Sequence, residues 1–335
     1  MEELQPGSKL ANFSQELKSC MCTQEMLESD LFRAWTQEIR HDFRMHRKIW
    51  EFCYIAQALF ERGFIKAGSR GLGFAVGQEP LPALFAKNGC KIVATDLAID
   101  QARDKGWVDS NQHASALDDL NRMKICPEDL FRENVSFQPV DMIKIPAELT
   151  GFDFIWSSCS LEHLGSIAQG ICFINNSLRC LRPGGVAVHT TEFNCSSNET
   201  TIENGPSVLF RQKDFEIIAD ILRFQGHEIE LDFSPGKKPL DLYVDKPPYT
   251  LDKHIKLEFE GYASTSFGLI IRKAAQTNPA TYIVETLLDL TTKERDGFQL
   301  ELNRVLASRS QRIIAPMRAI WKWIRVWRNR ITPKI

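Results

Sequence analysis

The sequence contains no run of 18 apolar residues, so it predicts no helix that spans a membrane. Its start, Met1-Glu2-Glu3-Leu4-Gln5-Pro6, lacks the basic-then-apolar pattern of a signal peptide. The nine cysteines are scattered and odd in number, which favours reduced, mostly buried thiols over a disulfide framework. These absences lead us to expect a cytoplasmic protein.

Signals for metal sites and phosphate loops are also missing. Cys20 and Cys22 are too close together for an ordinary zinc pair, and no matching pair of Cys or His follows them. No clustered carboxylates indicate a magnesium site, and the Gly-Lys-Ser/Thr of a Walker loop is absent. We therefore predict no metal ligands, and the sequence leaves metal dependence open.

The 335 residues suffice for one large domain with additions, and 43% hydrophobic and 25% charged residues are typical of a globular protein with a sizeable core. Apolar segments of strand length alternate with helical patterns. The predicted strands are 70–75, 91–95, 135–139, 152–156, 186–191, 228–231 and 269–272. Such alternation favours a doubly wound α/β fold, with a parallel sheet and helices on both faces.

We divide the chain into three parts. Residues 1–64 are a predicted N-terminal helical cap, residues 65–275 the α/β domain, and residues 276–335 a basic helical tail. Within the domain, residues 233–266 contain four prolines and no predicted element. A structureless stretch of that length is usually a lid or a binding loop.

Residues 70–97 hold the most informative motif, an apolar strand, a glycine turn, a helix and a second apolar strand that ends at Asp96. A parallel sheet has a ligand crevice beyond its strand ends, where Asp96 is placed to accept hydrogen bonds from ribose hydroxyls. A dinucleotide fingerprint needs Gly-x-Gly-x-x-Gly, but after Gly71 and Gly73 the third position is Val76, and the glycine follows at Gly77. An NAD enzyme is therefore the weaker interpretation.

Further motifs follow in order along the chain. Asp141-Met142 comes after the third predicted strand. The fourth predicted strand contains Phe152-Asp153-Phe154-Ile155 and is followed by residues 157–164. Residues 181–186 lead into the fifth predicted strand. With the glycine turn, these motifs resemble class I S-adenosylmethionine-dependent methyltransferases. The resemblance implies S-adenosylmethionine as the cofactor. It also implies a Rossmann-like, mostly parallel sheet of seven strands in the order 3-2-1-4-5-7-6, with strand seven antiparallel.

The resemblance implies a set of cofactor contacts, in which Asp96 binds the ribose and Asp141 the adenine amine. The family's three glycines align with Ala75, Gly77 and Glu79, and its acid in the first strand aligns with Gly73. We hypothesise that Glu79 takes over the contact with the ammonium group of the methionine moiety; alternatively, it is an acid that only favours the start of a helix. The predicted cofactor-binding residues are Gly73, Ala75, Gly77, Glu79, Asp96, Leu97, Asp141, Met142 and Ser158.

Methyl transfer to a hydroxyl group needs close alignment and benefits from a general base. His163 follows the fourth strand on the ligand side, although a residue there also packs under the cofactor in a purely structural role. Glu192 lies just past the fifth strand, as a base or a solvated loop acid. His189 is on that strand and is the third candidate, with packing inside the sheet as the alternative.

Residues 191–198, 208–211 and 243–249 resemble a bacterial subgroup associated with surface polysaccharide and glycan assembly. This resemblance implies O-methylation of a saccharide or glycolipid. The alternatives are a small lipid or quinone acceptor and a non-catalytic scaffold that keeps the fold. The predicted acceptor contacts are Asn194, Asn198, Arg211, Asp241, Tyr243, Tyr249, Lys253 and His254.

From Leu302 onward the chain has nine basic residues and no acid. Residues 309–331 combine arginines with tryptophans, a composition suited to a helix on an anionic bilayer at the inner face of the cytoplasmic membrane. Nucleic acid is a competing partner, but the acidic remainder of the chain disfavours it. A third interpretation is a helix packed on the domain.

Overall fold

A computed structural model describes residues 16–104, 113–114, 116–250 and 252–276. The strands in these residues are β1 (Ser19–Cys20), β2 (Arg70–Phe74), β3 (Lys91–Asp96), β4 (Val135–Pro139), β5 (Phe152–Ser158), β6 (Leu181–Asn194), β7 (Leu231–Asp232), β8 (Lys256–Phe259) and β9 (Tyr262–Arg272). The helices are α1 (Gln24–Glu28), α2 (Asp30–Glu38), α3 (Arg47–Glu61), α4 (Leu81–Lys87), α5 (Ile99–Asp104), α6 (Glu128–Asn134), α7 (Ile167–Ser177), α8 (Gln212–Phe224) and α9 (Pro239–Leu242).

Seven strands form one sheet in the order β4-β3-β2-β5-β6-β9-β8. The first five are mutually parallel, and β9 runs antiparallel to β6. Numbered by their order along the chain within the sheet, they follow the predicted order 3-2-1-4-5-7-6. The predicted doubly wound, mostly parallel α/β fold is therefore confirmed.

The position of the sixth strand was predicted wrongly. Residues 228–231 do not join the sheet as a strand: Glu228 makes a single bridge to Arg272, and β7 pairs with β1. The edge beside β9 is occupied by β8, which lies within the predicted structureless segment 233–266. That segment also contains α9 and the start of β9, so it is a structured wall of the domain.

Apolar side chains cover both faces of the sheet, as expected for central parallel strands. One core contains Trp50 of α3 and Phe85 of α4, packed over Trp156 of β5. The other contains Phe173 of α7 and Phe215 of α8. Helix α3 lies against β5, β6 and β9, so its first turn reaches the carboxyl edge of the parallel strands.

Within the described part of the chain, no helix is long and apolar enough to cross a bilayer. The basic segment 309–331, for which we predicted a membrane contact, lies outside the described residues.

Candidate functional site

A cavity of about 760 Å³ opens at the carboxyl edge of the parallel strands. One half is formed by the loops that follow β2, β3, β4 and β5, and the other by the start of α3 and the region around β8. Its lining includes Ala75, Gly77, Glu79, Asp96, Leu97, Asp141, Met142, Ser158, Cys159, His46, Arg47, Lys48, His163, Glu192, Tyr249 and His254. Ligand sites in open α/β sheets lie at this edge.

The turn after β2 is fixed against the end of β3. Ala75 and Gly77 adopt positive φ angles of 47° and 51°, a conformation that glycine adopts without strain. The amide of Gly77 donates to Oδ2 of Asp96 at 3.1 Å, and the hydroxyl of Thr95 donates to the carbonyl of Gly73 at 2.8 Å. The backbone of the turn therefore forms part of the cavity wall.

Asp96 is held by three backbone amides. Oδ1 accepts from Leu97 at 2.8 Å, and Oδ2 accepts from Ala114 at 3.2 Å in addition to Gly77. Burial raises the pKa of Asp96 above its ordinary value, although these hydrogen bonds oppose the shift. Because a carboxylate oxygen has two lone pairs, Oδ1 keeps one for a ligand.

Gly73 does not line the cavity, unlike the other eight predicted cofactor-binding residues. A Cβ atom at Gly73 would lie only 2.4 Å from the Trp156 ring. The indole therefore excludes a side chain at the position where the methyltransferase family has an acid. This packing explains the departure from the family pattern, while the cofactor contacts themselves stay predictions.

Glu79 lies beside that indole. The Nε1–H of Trp156 donates to Oε1 of Glu79 at 2.5 Å. Burial raises the pKa of Glu79 to about 8, although the hydrogen bond from Trp156 and the charge of Lys48 oppose the shift. The cavity thus contains a buried carboxyl group that a cationic ligand group would ionise.

A network around Glu51 of α3 connects the two halves of the cavity. The Glu51 side chain is 0% exposed, and Ser158, Thr190 and Ser266 donate their hydroxyls to it. Burial opposes its charge, but Lys48 and Arg47 outweigh burial and lower the pKa of Glu51. The network fixes the start of α3 against the ends of β5 and β6.

Glu192 faces the cavity but is already engaged by protein groups. Nη2 of Arg47 lies 2.5 Å from its Oε1, and the hydroxyl of Ser264 donates to its Oε2 at 2.6 Å. Burial raises the pKa of Glu192, and Arg47 opposes the shift. The geometry therefore suits Glu192 better as the residue that positions Arg47 than as a base.

Cys159, Glu162 and Glu192 bring potential metal-binding atoms within 4.8 Å of one another. The sequence analysis did not identify this cluster, because Glu192 is 30 residues from Glu162 along the chain. Nη1 of Arg47 lies 3.7 Å from Sγ of Cys159, in addition to the ion pair of Arg47 with Glu192. A guanidinium thus already supplies positive charge to this cluster, so we assign no metal to it.

The three predicted catalytic residues have different surroundings. His163 lines the cavity and donates through Nδ1 to the carbonyl of Pro206 at 2.8 Å. His189 does not line the cavity: it is 0% exposed, between the hydroxyls of Ser157 and Ser177. Burial lowers the pKa of His189 to about 3. Its position inside the sheet contradicts a catalytic role and corrects our prediction.

Of the predicted acceptor contacts, Tyr249 and His254 line the cavity. Asn194, Arg211 and Asp241 are engaged in local structure, with hydrogen bonds to Thr201, Asp214 and Lys238 respectively. Asn198, Tyr243 and Lys253 are also absent from the cavity wall.

Sequence reasoning missed the first turn of α3, where His46, Arg47 and Lys48 enter the cavity. The available signal was a cluster of three basic residues at the start of a largely apolar helix. It also missed the pairing of Asp245 with His254, because nothing in the spacing of nine residues indicates a contact.

No protein-family model matches the chain, and no curated protein matches it. Solved structures do match. They include a putative sarcosine dimethylglycine methyltransferase from Galdieria sulphuraria, with 15% identity, 76% of this chain and 92% of that chain covered, and a TM-score of 0.45. Magnesium protoporphyrin IX methyltransferase from Synechocystis PCC 6803 gives 11% identity, 75% and 98% coverage, and a TM-score of 0.41. A SAM-dependent methyltransferase from Aquifex aeolicus has 14% sequence identity and a TM-score of 0.37, and the match covers 65% of this chain and 88% of that chain.

Proposed function

We propose that the chain is an S-adenosylmethionine-dependent methyltransferase that methylates a hydroxyl oxygen of a saccharide or lipid-linked glycan. The observation that carries the proposal is one cavity, at the ligand edge of a sheet in the order 3-2-1-4-5-7-6, that contains two different sets of groups. Asp96 and Asp141 suit a nucleoside, and the residues opposite suit a polar acceptor.

The residues of the first half fit the cofactor. Asp96 has a free lone pair for a ribose hydroxyl, and Asp141 has one Oδ occupied by the amide of Ile143 at 2.9 Å. Met142 is buried beside them as an apolar surface for the adenine ring. When bound, S-adenosylmethionine supplies an electrophilic methyl carbon on a sulfonium.

The electrostatics of the site also support a cationic donor. Glu51 and Glu192 are buried at the junction of the two halves, and Glu162 has an Oε1 atom without a hydrogen-bond partner among the described residues. Arg47 and Lys48 are the cations that face them. Because charges interact strongly in a poorly solvated cavity, this surplus of carboxylates favours a sulfonium over a neutral ligand.

The second half supports a hydroxyl-bearing acceptor. Imidazole, guanidinium and phenol groups from His46, His254, Arg47 and Tyr249 offer both donors and acceptors. A quinone or lipid acceptor would need a larger apolar surface, whereas the apolar side chains of this half are Phe52, Leu257 and Phe259. The saccharide is therefore our first choice of acceptor class.

Calorimetry with S-adenosylmethionine and with NADH tests the cofactor. We expect binding of the former, a loss of at least tenfold in affinity for Asp96→Ala, and no change for Asp118→Ala, whose carboxylate is exposed in an ion pair with Arg132. Silence of the folded protein toward S-adenosylmethionine, with binding of NADH, would overturn the proposal.

Formation of S-adenosylhomocysteine in the presence of p-nitrophenyl glycosides and, separately, of quinols tests the acceptor. Turnover with a glycoside supports the proposed acceptor class. Turnover confined to quinols identifies the alternative acceptor, and binding of the cofactor without any turnover favours a scaffold.

We further propose that residues 309–331 bring the enzyme to an anionic membrane, where a lipid-linked glycan is available. The alternation of arginine and tryptophan in this segment supports the proposal. Removal of residues 309–335 should abolish sedimentation with vesicles that contain phosphatidylglycerol. Equal sedimentation of the shortened chain would contradict it.

A further inference from the structure

Asp245 and His254 form a buried pair at the acceptor half of the cavity. Nδ1 of His254 lies 2.7 Å from Oδ2 of Asp245, whose side chain is 1% exposed. The amide of Thr250 donates to the same oxygen at 2.9 Å. Burial opposes the charge of Asp245, but the hydrogen bonds from His254 and Thr250 outweigh it and lower the pKa of Asp245. An ionised carboxylate only accepts, so Nδ1 of His254 carries the proton.

The other ring nitrogen of His254 is therefore the basic one. Burial, assisted by the charge of Arg47, lowers the pKa of His254 more than Asp245 raises it, so the imidazole is neutral at pH 7. With the proton on Nδ1, Nε2 has a lone pair, and no described residue donates a hydrogen bond to it. His254 lines the cavity.

His46, at the start of α3, has the opposite tautomer. The amide of Lys48 donates to Nδ1 of His46 at 3.0 Å, so Nδ1 is unprotonated. Burial and the charges of His254 and Arg47 lower the pKa of His46 to about 4, so this ring is also neutral. A neutral imidazole without a proton on Nδ1 carries it on Nε2, which is then a donor.

The backbone holds the two rings together. The amide of Arg47 donates to the carbonyl of His254 at 2.9 Å, and the amide of His254 donates to the carbonyl of Met45 at 2.9 Å. The ring centroids are 4.7 Å apart, with an angle of 33° between the planes. Both residues line the same cavity, and their tautomers give the pair one donor and one acceptor.

We propose that His46 and His254 hold one acceptor hydroxyl between them, that His254 is the general base of methyl transfer, and that Asp245 is its positioning residue. This inference rests on the proposed function. Nε2–H of His46 donates to the hydroxyl oxygen, and Nε2 of His254 accepts the hydroxyl proton.

The step balances. The O–H bond breaks and its proton passes to Nε2 of His254, while an O–C bond forms as the methyl–sulfur bond breaks. The electron pair of the methyl–sulfur bond stays on sulfur, so the sulfonium becomes a neutral thioether. The imidazolium of His254 is then paired with Asp245. Bulk solvent removes the proton afterwards. A positioned base of this kind contributes about 10²–10⁴-fold to a rate.

The two other candidates for the base are less suited. Both oxygens of Glu192 are engaged, by Arg47 and by Ser264. His163 also has a protonated Nδ1, but a carbonyl orients it rather than a carboxylate. A carboxylate oxygen of Glu162 lies 3.9 Å from Nε2 of His163, against 2.7 Å between Asp245 and Nδ1 of His254. His163 is the rival that the experiment compares.

Long-range ¹H–¹⁵N spectra of the full chain labelled with ¹⁵N-histidine test the tautomers without any acceptor. We expect the proton of His254 on Nδ1 and that of His46 on Nε2 at pH 7. In Asp245→Asn the side-chain oxygen can still accept from both the amide of Thr250 and Nδ1 of His254, so the proton should stay on Nδ1. Asp245→Leu removes this acceptor and should release part of the His254 proton to Nε2. Asp252→Asn, at an exposed neighbouring position, is the matched control and should change neither ring. A His254 proton on Nε2 in the wild type would overturn the inference.

Methyl transfer to the glycoside used as acceptor, measured with saturating S-adenosylmethionine, tests the role. His254→Gln should lose at least a hundredfold in kcat and keep its affinity for the cofactor. Asp245→Asn removes the ionic partner of His254, so activity should fall and the acid limb of the pH profile should move to lower pH, whereas Asp252→Asn should change neither. Activity of His254→Gln within threefold of the wild type, or the larger loss in His163→Gln, overturns the inference alone. Binding of the cofactor with no transfer to any glycoside overturns the proposed acceptor together with this role, and failure to bind the cofactor overturns the proposed function as a whole.

Discussion

The affinity for S-adenosylmethionine should fall as the pH is lowered, because of Glu79. Burial raises the pKa of its carboxyl group to about 8, so the group is mostly protonated near neutral pH when no ligand is present. Only the ionised carboxylate attracts the ammonium group of the cofactor. Binding must therefore release a proton from Glu79 at pH 6 to 7.

The size of the effect follows from this pKa. Below pH 8 the ionised fraction of Glu79 falls about tenfold for each pH unit, so the affinity should also fall about tenfold, or about 1.4 kcal/mol, per unit. The range from pH 5.5 to 7 isolates Glu79 from the ligand, since an α-amino group titrates near pH 7.7–8.0. We expect a loss of about 30-fold across that range.

Isothermal calorimetry in two buffers of different ionisation enthalpy measures both the affinity and the number of protons released. The wild type should release about one proton at pH 6, whereas Glu79→Gln should show a much flatter affinity and release none from this position. Glu133→Gln, at an exposed ion pair with Lys91, is the matched control and should behave as the wild type. Equal slopes in the wild type and Glu79→Gln would refute the role of Glu79.

Three further predictions concern stability and can be checked by urea denaturation. A Cβ at Gly268 would lie 2.1 Å from the ring of Tyr54, so Gly268→Ala should cost about 1–3 kcal/mol, and an unchanged midpoint would contradict this packing. Burial lowers the pKa of His189 from 6.5 to about 3. Between pH 6.5 and 3, His189 is therefore protonated in the unfolded chain but not in the folded one. Stability should fall there by up to about 1.4 kcal/mol per pH unit, and His189→Asn should lose this part of the pH dependence. Asp214→Ala removes the bidentate partner of the Arg211 guanidinium but leaves its ion pair with Glu203, so it should destabilise by about 1.5–3 kcal/mol, unlike Asp220→Ala at an exposed position.

The order of the sheet was predictable because its signals are local. Each parallel strand is an apolar run followed by a turn. Gly77 in the turn after β2 and Asp96 at the end of β3 meet in one hydrogen bond. The sixth strand was misplaced for a physical reason. β8 is only four residues long and half-buried, with Lys256 and Glu258 facing away from the core, so it lacks a long apolar signal.

The acceptor half of the site was less predictable because it is assembled from distant segments. Glu51 receives the hydroxyl of Ser266, 215 residues away. His46 packs against His254 through backbone pairing between the start of α3 and the residues before β8. Neither contact is signalled by a periodic pattern or a motif in the sequence. Each depends on the sheet order, which places β6, β9 and β8 side by side.

Trp156 excludes a side chain at Gly73 and also donates a hydrogen bond to Glu79, and Trp156→Phe tests the second role. The indole Nε1–H stabilises the ionised carboxylate, so its removal should raise the pKa of Glu79 above 8 and weaken cofactor binding at pH 7. The steep part of the affinity curve should move to higher pH. Trp35→Phe is the matched control, because it removes an equivalent indole bond to Gln57 on α3. An unchanged curve for Trp156→Phe would mean that Glu79 does not set the pH dependence, even if Glu79→Gln weakens binding.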